Sequence, residues 1–206
     1  NVSLAAASEV VLGEEGQGIA VLYGSGTTVV NQGLIEAATA ELRAAGDNPY
    51  ALAINNSGII RANTVTHEGG RIVLKASEGT VLNSGTLDSS GDKGGEVQVL
   101  GSMVGLTGTG LVDVSGQKGG GTALIGGDFQ GNNPYIQNAK RTYVGPEAAI
   151  RADALESGDG GKVIAWADEI NRFFGTVSAR GGTQGGDGGF AEISGKDSLA
   201  FKGNLD

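Results

Sequence analysis

The sequence predicts an all-β fold, a three-faced parallel β-helix, and three observations lead to this prediction. Two short phrases recur along the 206 residues at nearly constant intervals, which is typical of a solenoid. Apolar and polar residues alternate after each phrase, as they do in strands with one buried face. Glycine supplies 39 residues and proline only 3, so turns are frequent and the helical signal is weak.

The first phrase is Asn-x-Gly followed by a strand, and it begins at Asn31, Asn56 and Asn83. The segment 34–45 could pass for a helix, but its place in the repeat predicts a strand followed by a turn. The predicted inward column is Ile35, Ile60, Leu87, Val112, Ile150 and Val177, and the outward column beside it is Glu36, Arg61, Asp88, Asp113, Arg151 and Ser178. The asparagines are expected to hydrogen-bond to each other between coils rather than to bind a ligand.

The second phrase is Gly-Gly followed by a strand, at intervals of 25, 26, 40 and 28 residues. Its predicted inward columns are Ile72, Val97, Ala123, Val163 and Ala191, and beside them Leu74, Val99, Ile125, Ala165 and Ile193. A third, shorter strand precedes each Asn-x-Gly, with Val29, Ile54, Val81 and Leu106 predicted in register. These three strands leave no room for a crossover helix, so the sequence predicts about seven to eight coils of about 25–27 residues.

One coil is longer than the others, as the interval of 40 residues shows. Its extra residues fall within 127–144, a stretch rich in Asn, Tyr and basic residues that contains Pro134. Insertions in repeat proteins emerge as loops on one side and often carry recognition. We therefore expect residues 1–206 to form a single β-helix segment of a longer protein, with an extended loop at 127–144.

Charge and composition limit the classes of partner. The net charge is −9 and the 14 basic residues are scattered, so nucleic acid is not expected to bind. There is no cysteine, which excludes disulfides and thiolate metal sites. No apolar run is long enough for a membrane-spanning helix, so membrane insertion is not expected.

No catalytic, cofactor or metal residues are predicted. His67 is the single histidine and has no arranged partner, while the acidic pairs Glu14-Glu15 and Asp168-Glu169 are expected to be solvated. The Gly/Asp-rich corners at 158–161 and 185–189 suggest Ca²⁺, but one carboxylate per corner is too few ligands. A turn is therefore favoured over a Ca²⁺ site.

The outer face of the late coils is unexpectedly apolar. Positions that are Arg71, Val73, Glu96 and Gln98 in the earlier coils are occupied there by Leu124, Ile164, Trp166 and Phe190. Either the long insertion folds back over this stripe, with Phe129, Tyr135 or Tyr143 as its lid, or the stripe is bare and used for lateral association or ligand contact. The candidate interaction surface is therefore Leu124, Ile164, Trp166, Phe190, Phe129, Tyr135 and Tyr143.

A family resemblance is carried by motifs that occur in one order between residues 112 and 203. They lie at 113–116, 125–131, 144–146, 150–154, 160–168, 174–182 and 186–196. This segment resembles the filamentous-haemagglutinin-like exoproteins of two-partner secretion, found widely in Gram-negative bacteria, whereas the first half matches only in its repeat style. The resemblance implies a right-handed parallel β-helix exported through an outer-membrane partner barrel. The amino-terminal secretion domain with its Asn-Pro-Asn signature is not recognised here, so a stalk segment downstream of it is expected.

The function expected from these features is that of a secreted or cell-surface filament segment without catalytic activity. It would project the molecule and mediate multivalent attachment to host, cell-surface or matrix glycans or proteins. Two alternatives remain open at this stage. One is a self-assembling extracellular fibre subunit, and the other is a polysaccharide-cleaving enzyme on the same scaffold.

Overall fold

The chain winds into a parallel β-helix with three sheets, as the sequence predicts. The structure is a computed structural model that describes residues 2–6, 9–12, 19–22, 28–45, 48, 50–64 and 68–206, the first three ranges by their backbone. Within these residues each sheet has seven strands, so the chain passes through seven coils. His67 and the pair Glu14-Glu15 lie outside the described residues.

The strands are numbered in chain order. The first sheet contains β1 (Val2–Ala6), β6 (Thr39–Ala44), β9 (Arg71–Ala76), β12 (Glu96–Leu100), β15 (Thr122–Ile125), β18 (Lys162–Ala167) and β21 (Phe190–Gly195). The second contains β4 (Val29–Asn31), β7 (Leu52–Asn56), β10 (Thr80–Asn83), β13 (Met103–Leu106), β16 (Arg141–Val144), β19 (Ile170–Phe173) and β22 (Ser198–Phe201). The third contains β5 (Leu34–Ala37), β8 (Ile59–Ala62), β11 (Thr86–Asp88), β14 (Leu111–Asp113), β17 (Ala149–Arg151), β20 (Thr176–Ser178) and β23 (Asn204–Leu205). An antiparallel hairpin, β2 (Glu9–Leu12) and β3 (Ile19–Leu22), follows β1.

The predicted inward columns of the first and third sheets are confirmed. In the third sheet neighbouring strands place in register Ile35, Ile60, Leu87, Val112, Ile150 and Val177. In the first sheet Ile72, Val97, Ala123, Val163 and Ala191 are likewise in register. Apart from Ala191, which is exposed because β21 belongs to the last coil, these columns form one continuous core along the axis. The segment 34–45, predicted as strand and turn, forms the two strands β5 and β6.

The predicted register of the second sheet is wrong at one position. Val81 pairs with Val104, whereas Leu106 pairs with Asn83. A shift of two residues keeps every side chain on the same face of a strand, so the apolar pattern fits both registers equally well.

The asparagines of the first phrase form the predicted ladder inside the helix. Asn31 Nδ2 donates to Asn56 Oδ1 over 2.7 Å, and Asn56 Nδ2 donates to Asn83 Oδ1 over 2.6 Å. All three side chains are buried. The column then becomes apolar, because Leu106 and Val144 occupy the next two positions.

The Gly-Gly corners are glycine because successive coils touch there. A Cβ added to Gly161 would lie 2.1 Å from the carbonyl oxygen of Gly121, and one added to Gly121 would lie 2.1 Å from that of Gly95. The same carbonyls accept hydrogen bonds from the next coil, for instance that of Gly121 from Lys162 N over 2.8 Å. A side chain at the second glycine would therefore separate the coils.

On the polar exterior, opposite charges of neighbouring coils form pairs. Arg61 donates to Glu36 over 2.9 Å and to Asp88 over 3.0 Å, each on a neighbouring coil. Arg71 pairs in the same way with Glu96 over 3.0 Å. Exposed pairs of this kind contribute about 0.2–1 kcal/mol each, so they favour register more than stability.

Candidate interaction site

The extra residues of the long coil form an ordered loop at 126–140, between β15 and β16. Residues Arg141–Val144, which the sequence analysis included in the loop, form the strand β16. The loop contains a short 3-10 turn, Phe129–Gly131, whose first backbone N–H donates to Asp128 over 2.7 Å.

Asp128 ties the loop to the helix. Lys162 Nζ on β18 donates to Asp128 Oδ1 over 2.7 Å, and Asn133 Nδ2 donates to its Oδ2 over 2.8 Å. Burial alone would raise the pKa of Asp128, but the hydrogen bonds from Asn133 and Lys162 hold that pKa below its usual value. The carboxylate therefore stays charged where it holds the loop.

The loop covers the apolar stripe on the first sheet. Leu124, Ile164 and Trp166 are buried in a small cluster of their own, and Ile136 of the loop packs against them. A Cβ added to Gly131 would lie 2.6 Å from Cε2 of Trp166, so the loop backbone lies directly on the indole. The sequence left open whether the loop covers the stripe or the stripe is bare. In the structure the loop covers Leu124, Ile164 and Trp166, so these three residues do not form a bare surface.

Polar groups complete the contact around the indole. Trp166 Nε1 donates to Asp168 Oδ1 over 2.9 Å, and Asn138 Nδ2 donates to the same oxygen over 3.1 Å. The other member of the acidic pair, Glu169, accepts from Arg141 Nε over 3.3 Å at the surface. The two carboxylates thus have separate structural partners.

The aromatic residues proposed as lid divide into three environments. Phe129 packs edge to face on Phe190, with ring centroids 5.7 Å apart, and both rings are partly exposed. Tyr143 lies on another face, on the second sheet, where its ring meets that of Phe174 at 5.9 Å. Tyr135 is 88% exposed and covers nothing. Ile136, which the sequence analysis did not single out, provides the lid contact instead.

Tyr135 is held by an ordered backbone although its side chain is exposed. Its N–H donates to Asn133 Oδ1 over 3.0 Å, and the side chain of Asn133 is in turn bound to Asp128. On the other side of the 3-10 turn, Gln130 N donates to Glu192 Oε2 over 3.0 Å. The loop therefore presents the exposed side chain of Tyr135 from an ordered backbone.

A second feature, missed by the sequence analysis, is a polar groove of about 600 Å³ where the chain leaves the third sheet for the first. Its lining includes Ser90, Asp113, Ser115, Gln117, Arg151 and Arg180. The outward column of the third sheet already contained Asp113 and Arg151. The groove itself was not apparent because its other residues follow the strands, beyond the alternating pattern.

Asp153 is the buried acid of this groove. It accepts hydrogen bonds from Ser178 Oγ, from Arg180 N over 2.8 Å and from Arg180 Nη2 over 3.2 Å. Burial alone would raise the pKa of Asp153, but the hydrogen bonds from Arg180 and Ser178 hold that pKa below its usual value. Its role is to join two coils.

The Gly/Asp-rich corners also join coils. Asp159 Oδ1 accepts a hydrogen bond from Asp187 N over 2.8 Å. Among the residues that the structure describes, no group of three or more His, Cys, Asp or Glu side chains is arranged to hold a metal ion.

Comparison with known proteins found similarity to a solved structure. Neither a protein-family model nor a curated protein matches the chain. A solved structure similar to it is the secretion domain of HMW1 from Haemophilus influenzae, with a TM-score of 0.72 and 30% sequence identity. The similarity covers 91% of this chain and 51% of that one, so the chain spans about half the length of that structure.

The resemblance to exoproteins of two-partner secretion, predicted from the motifs, is thereby confirmed for a β-helical segment. The similar structure is itself a secretion domain, and the position of this chain downstream of such a domain stays a prediction. Across the described part of the chain, no helix has the length and apolarity to cross a membrane.

Proposed function

We propose that the chain is a β-helical filament segment of a secreted or cell-surface exoprotein, exported through an outer-membrane partner of the two-partner type. Its task is to project the molecule and to contribute attachment sites to glycans or proteins of other cells, surfaces or matrix. The similarity to the HMW1 secretion domain supports the secretion route.

The observation that carries the attachment function is the ordered loop with Tyr135. Tyrosine is enriched among residues that dominate binding energy, because it offers a large amphipathic surface at a low entropic cost. A single exposed tyrosine binds weakly. Many copies displayed together gain affinity by about 10²- to 10⁴-fold through avidity when the geometry permits simultaneous contact.

We propose no catalytic function. A general acid working near neutral pH needs a raised pKa, whereas the pKa of the groove acid Asp153 is lowered by its hydrogen bonds. Asp168 is likewise occupied by Trp166 and Asn138. The fibre alternative also loses its proposed contact surface, since the loop covers Trp166.

Attachment can be tested with beads that carry many copies of the protein, applied to immobilised mucin under flow. We expect the coated beads to adhere and the free protein to compete only weakly. Tyr135→Ala should reduce adhesion at least tenfold. The comparison variant is Tyr50→Ala, because Tyr50 is also largely exposed, at 73%, but belongs to an earlier coil and is not part of the loop. Equal adhesion of both variants would contradict the role of the loop.

A further inference from the structure

The polar groove beside the third sheet has the shape of a site for a polymer. Its lining residues come from five successive coils, with Asn63, Ser90, Gln117, Leu155 and Arg180 as one residue from each. Parallel bridges from Gly91 to Gly116 and from Gly116 to Ala154 run along the same corner. An occupant in contact with all five coils has to extend along the helix axis, so a compact small molecule would leave most of the groove empty.

The backbone along this corner excludes an added peptide strand. Gly91 N donates to the carbonyl of Ser115 over 3.2 Å, and Ala154 N donates to that of Arg180 over 2.8 Å. Because these groups are already paired between coils, the corner has no free strand edge of the kind that binds extended peptides. Recognition must come from the side chains.

Those side chains match the chemistry of sugars. The groove presents hydroxyl, amide, carboxylate and guanidinium groups, including those of Ser90, Asp113, Gln117 and Arg151. Planar carboxylate, amide and guanidinium groups can each form paired hydrogen bonds with neighbouring hydroxyl groups on one sugar ring. A polysaccharide offers such hydroxyl groups repeatedly along an extended chain.

Arg151 adds a preference for a carboxylate. Asp153 is paired with Arg180, and Asp92 is paired with Lys118 over 3.5 Å. The Asp113 carboxylate accepts from Ser115 N over 2.9 Å and, within the described residues, forms no ion pair with Arg151, although the two residues are neighbours on β14 and β17. Arg151 is exposed, and its guanidinium is suited to bidentate binding of a carboxylate.

We propose that this groove binds an extended uronate-containing polysaccharide, with Arg151 paired to a sugar carboxylate and Asp113 and Gln117 bound to hydroxyl groups. The site is separate from the loop with Tyr135, and its occupation does not depend on the attachment proposed for that loop. The net charge of −9 repels a polyanion, so binding requires the direct contact with Arg151.

The test is calorimetric titration of the protein with polygalacturonate. We expect saturable binding that Arg151→Gln weakens about 10- to 100-fold, as for loss of a hydrogen bond to a charged group. Arg151→Lys should weaken binding less, because the charge is kept. Arg172→Gln is the matched control, since Arg172 is also exposed and without an ion pair in the described part of the chain, but lies on the second sheet. All variants should melt at the same temperature.

Three results would overturn the proposal. These are no binding of polygalacturonate by the unaltered protein, equal weakening by Arg151→Gln and Arg172→Gln, or binding of polyglutamate as tight as that of polygalacturonate and equally dependent on Arg151. The last result would assign the groove to an acidic peptide. Release of reducing ends during the titration would support occupation of the groove and contradict the non-catalytic function. Loss of bead adhesion in Tyr135→Ala with unchanged titration would separate the two sites.

Discussion

Asn56 illustrates how a single side chain can determine the alignment of neighbouring coils. Its amide donates to Asn83 and accepts from Asn31, all within the buried interior. A strand with apolar residues at every second position can shift by two residues against its neighbour and keep the same face buried. The register predicted for Leu106 was wrong by such a shift. An amide in the column does not tolerate this shift, because a buried polar group without a partner costs about 1–3 kcal/mol.

Replacing Asn56 with alanine should lower the free energy of unfolding by about 2–5 kcal/mol. The substitution removes one partner from each of two buried amides and leaves a cavity. Urea denaturation would measure the loss. A value within about 0.5 kcal/mol of the unaltered protein would contradict the ladder.

The matched control replaces Asn31, Asn56 and Asn83 together with leucine. No side-chain amide of the ladder is then left unpaired, and the column already contains Leu106, Val144 and Phe173 in later coils. The triple variant should therefore lose less stability than Asn56→Ala alone.

Among the structural elements, the Gly-Gly corner tolerates substitution least, because the coils touch there. We expect Gly161→Ala to cost about 3 kcal/mol or more, because its Cβ would overlap the carbonyl of Gly121. Gly188→Ala is the control at an equivalent corner, where the nearest atom is 4.0 Å away, and it should stay within about 0.5 kcal/mol. Thermal unfolding compares the two directly. Similar melting temperatures would mean that the corners do not control the spacing of the coils.

The strands could be predicted from the sequence because each strand carries the alternation of apolar and polar residues and lies next to a recurring phrase. Period two identifies the buried face, and the recurring phrases align one coil with the next, so the columns through Ile60 and Val97 were correct. Where this repetition ended, the prediction failed. The groove depends on Ser115 and Arg180, which follow the strands and acquire neighbours only through winding.

The loop was only partly predictable for the same reason. Its existence followed from the interval of 40 residues, and folding over the stripe was one of two alternatives. Which side chain would cover Trp166 depended on the path of a segment without a repeat, and the residue proved to be Ile136.

At the scale of the whole molecule, acid should weaken the stack. The pKa values of Asp88, Asp128 and Asp153 are all lowered in the folded state by hydrogen bonds, although burial opposes the shift. Carboxylates with a depressed pKa stabilise the fold above the unfolded value of about 3.9, and this contribution is lost as the pH falls through the folded pKa. The melting temperature should therefore fall steadily between about pH 5 and pH 3.

Asp153→Asn provides the comparison for this prediction. The variant should be less stable than the unaltered protein at pH 7, and its melting temperature should change less between pH 5 and pH 3. Parallel curves for the two proteins would show that Asp153 does not contribute to the acid response.

The long insertion leaves the pairing of β15 with β18 unchanged, so loop sequence can vary without changing the coils. Ala123 and Val163 remain in register although 40 residues separate them, because most of the excess is accommodated at the corner between β15 and β16. A segment spliced in there changes what the rod displays without altering its pitch or the alignment of distant coils. An insertion beside the exposed Tyr135, which leaves Ile136 packed on Trp166, should therefore add a foreign epitope without disturbing the coils.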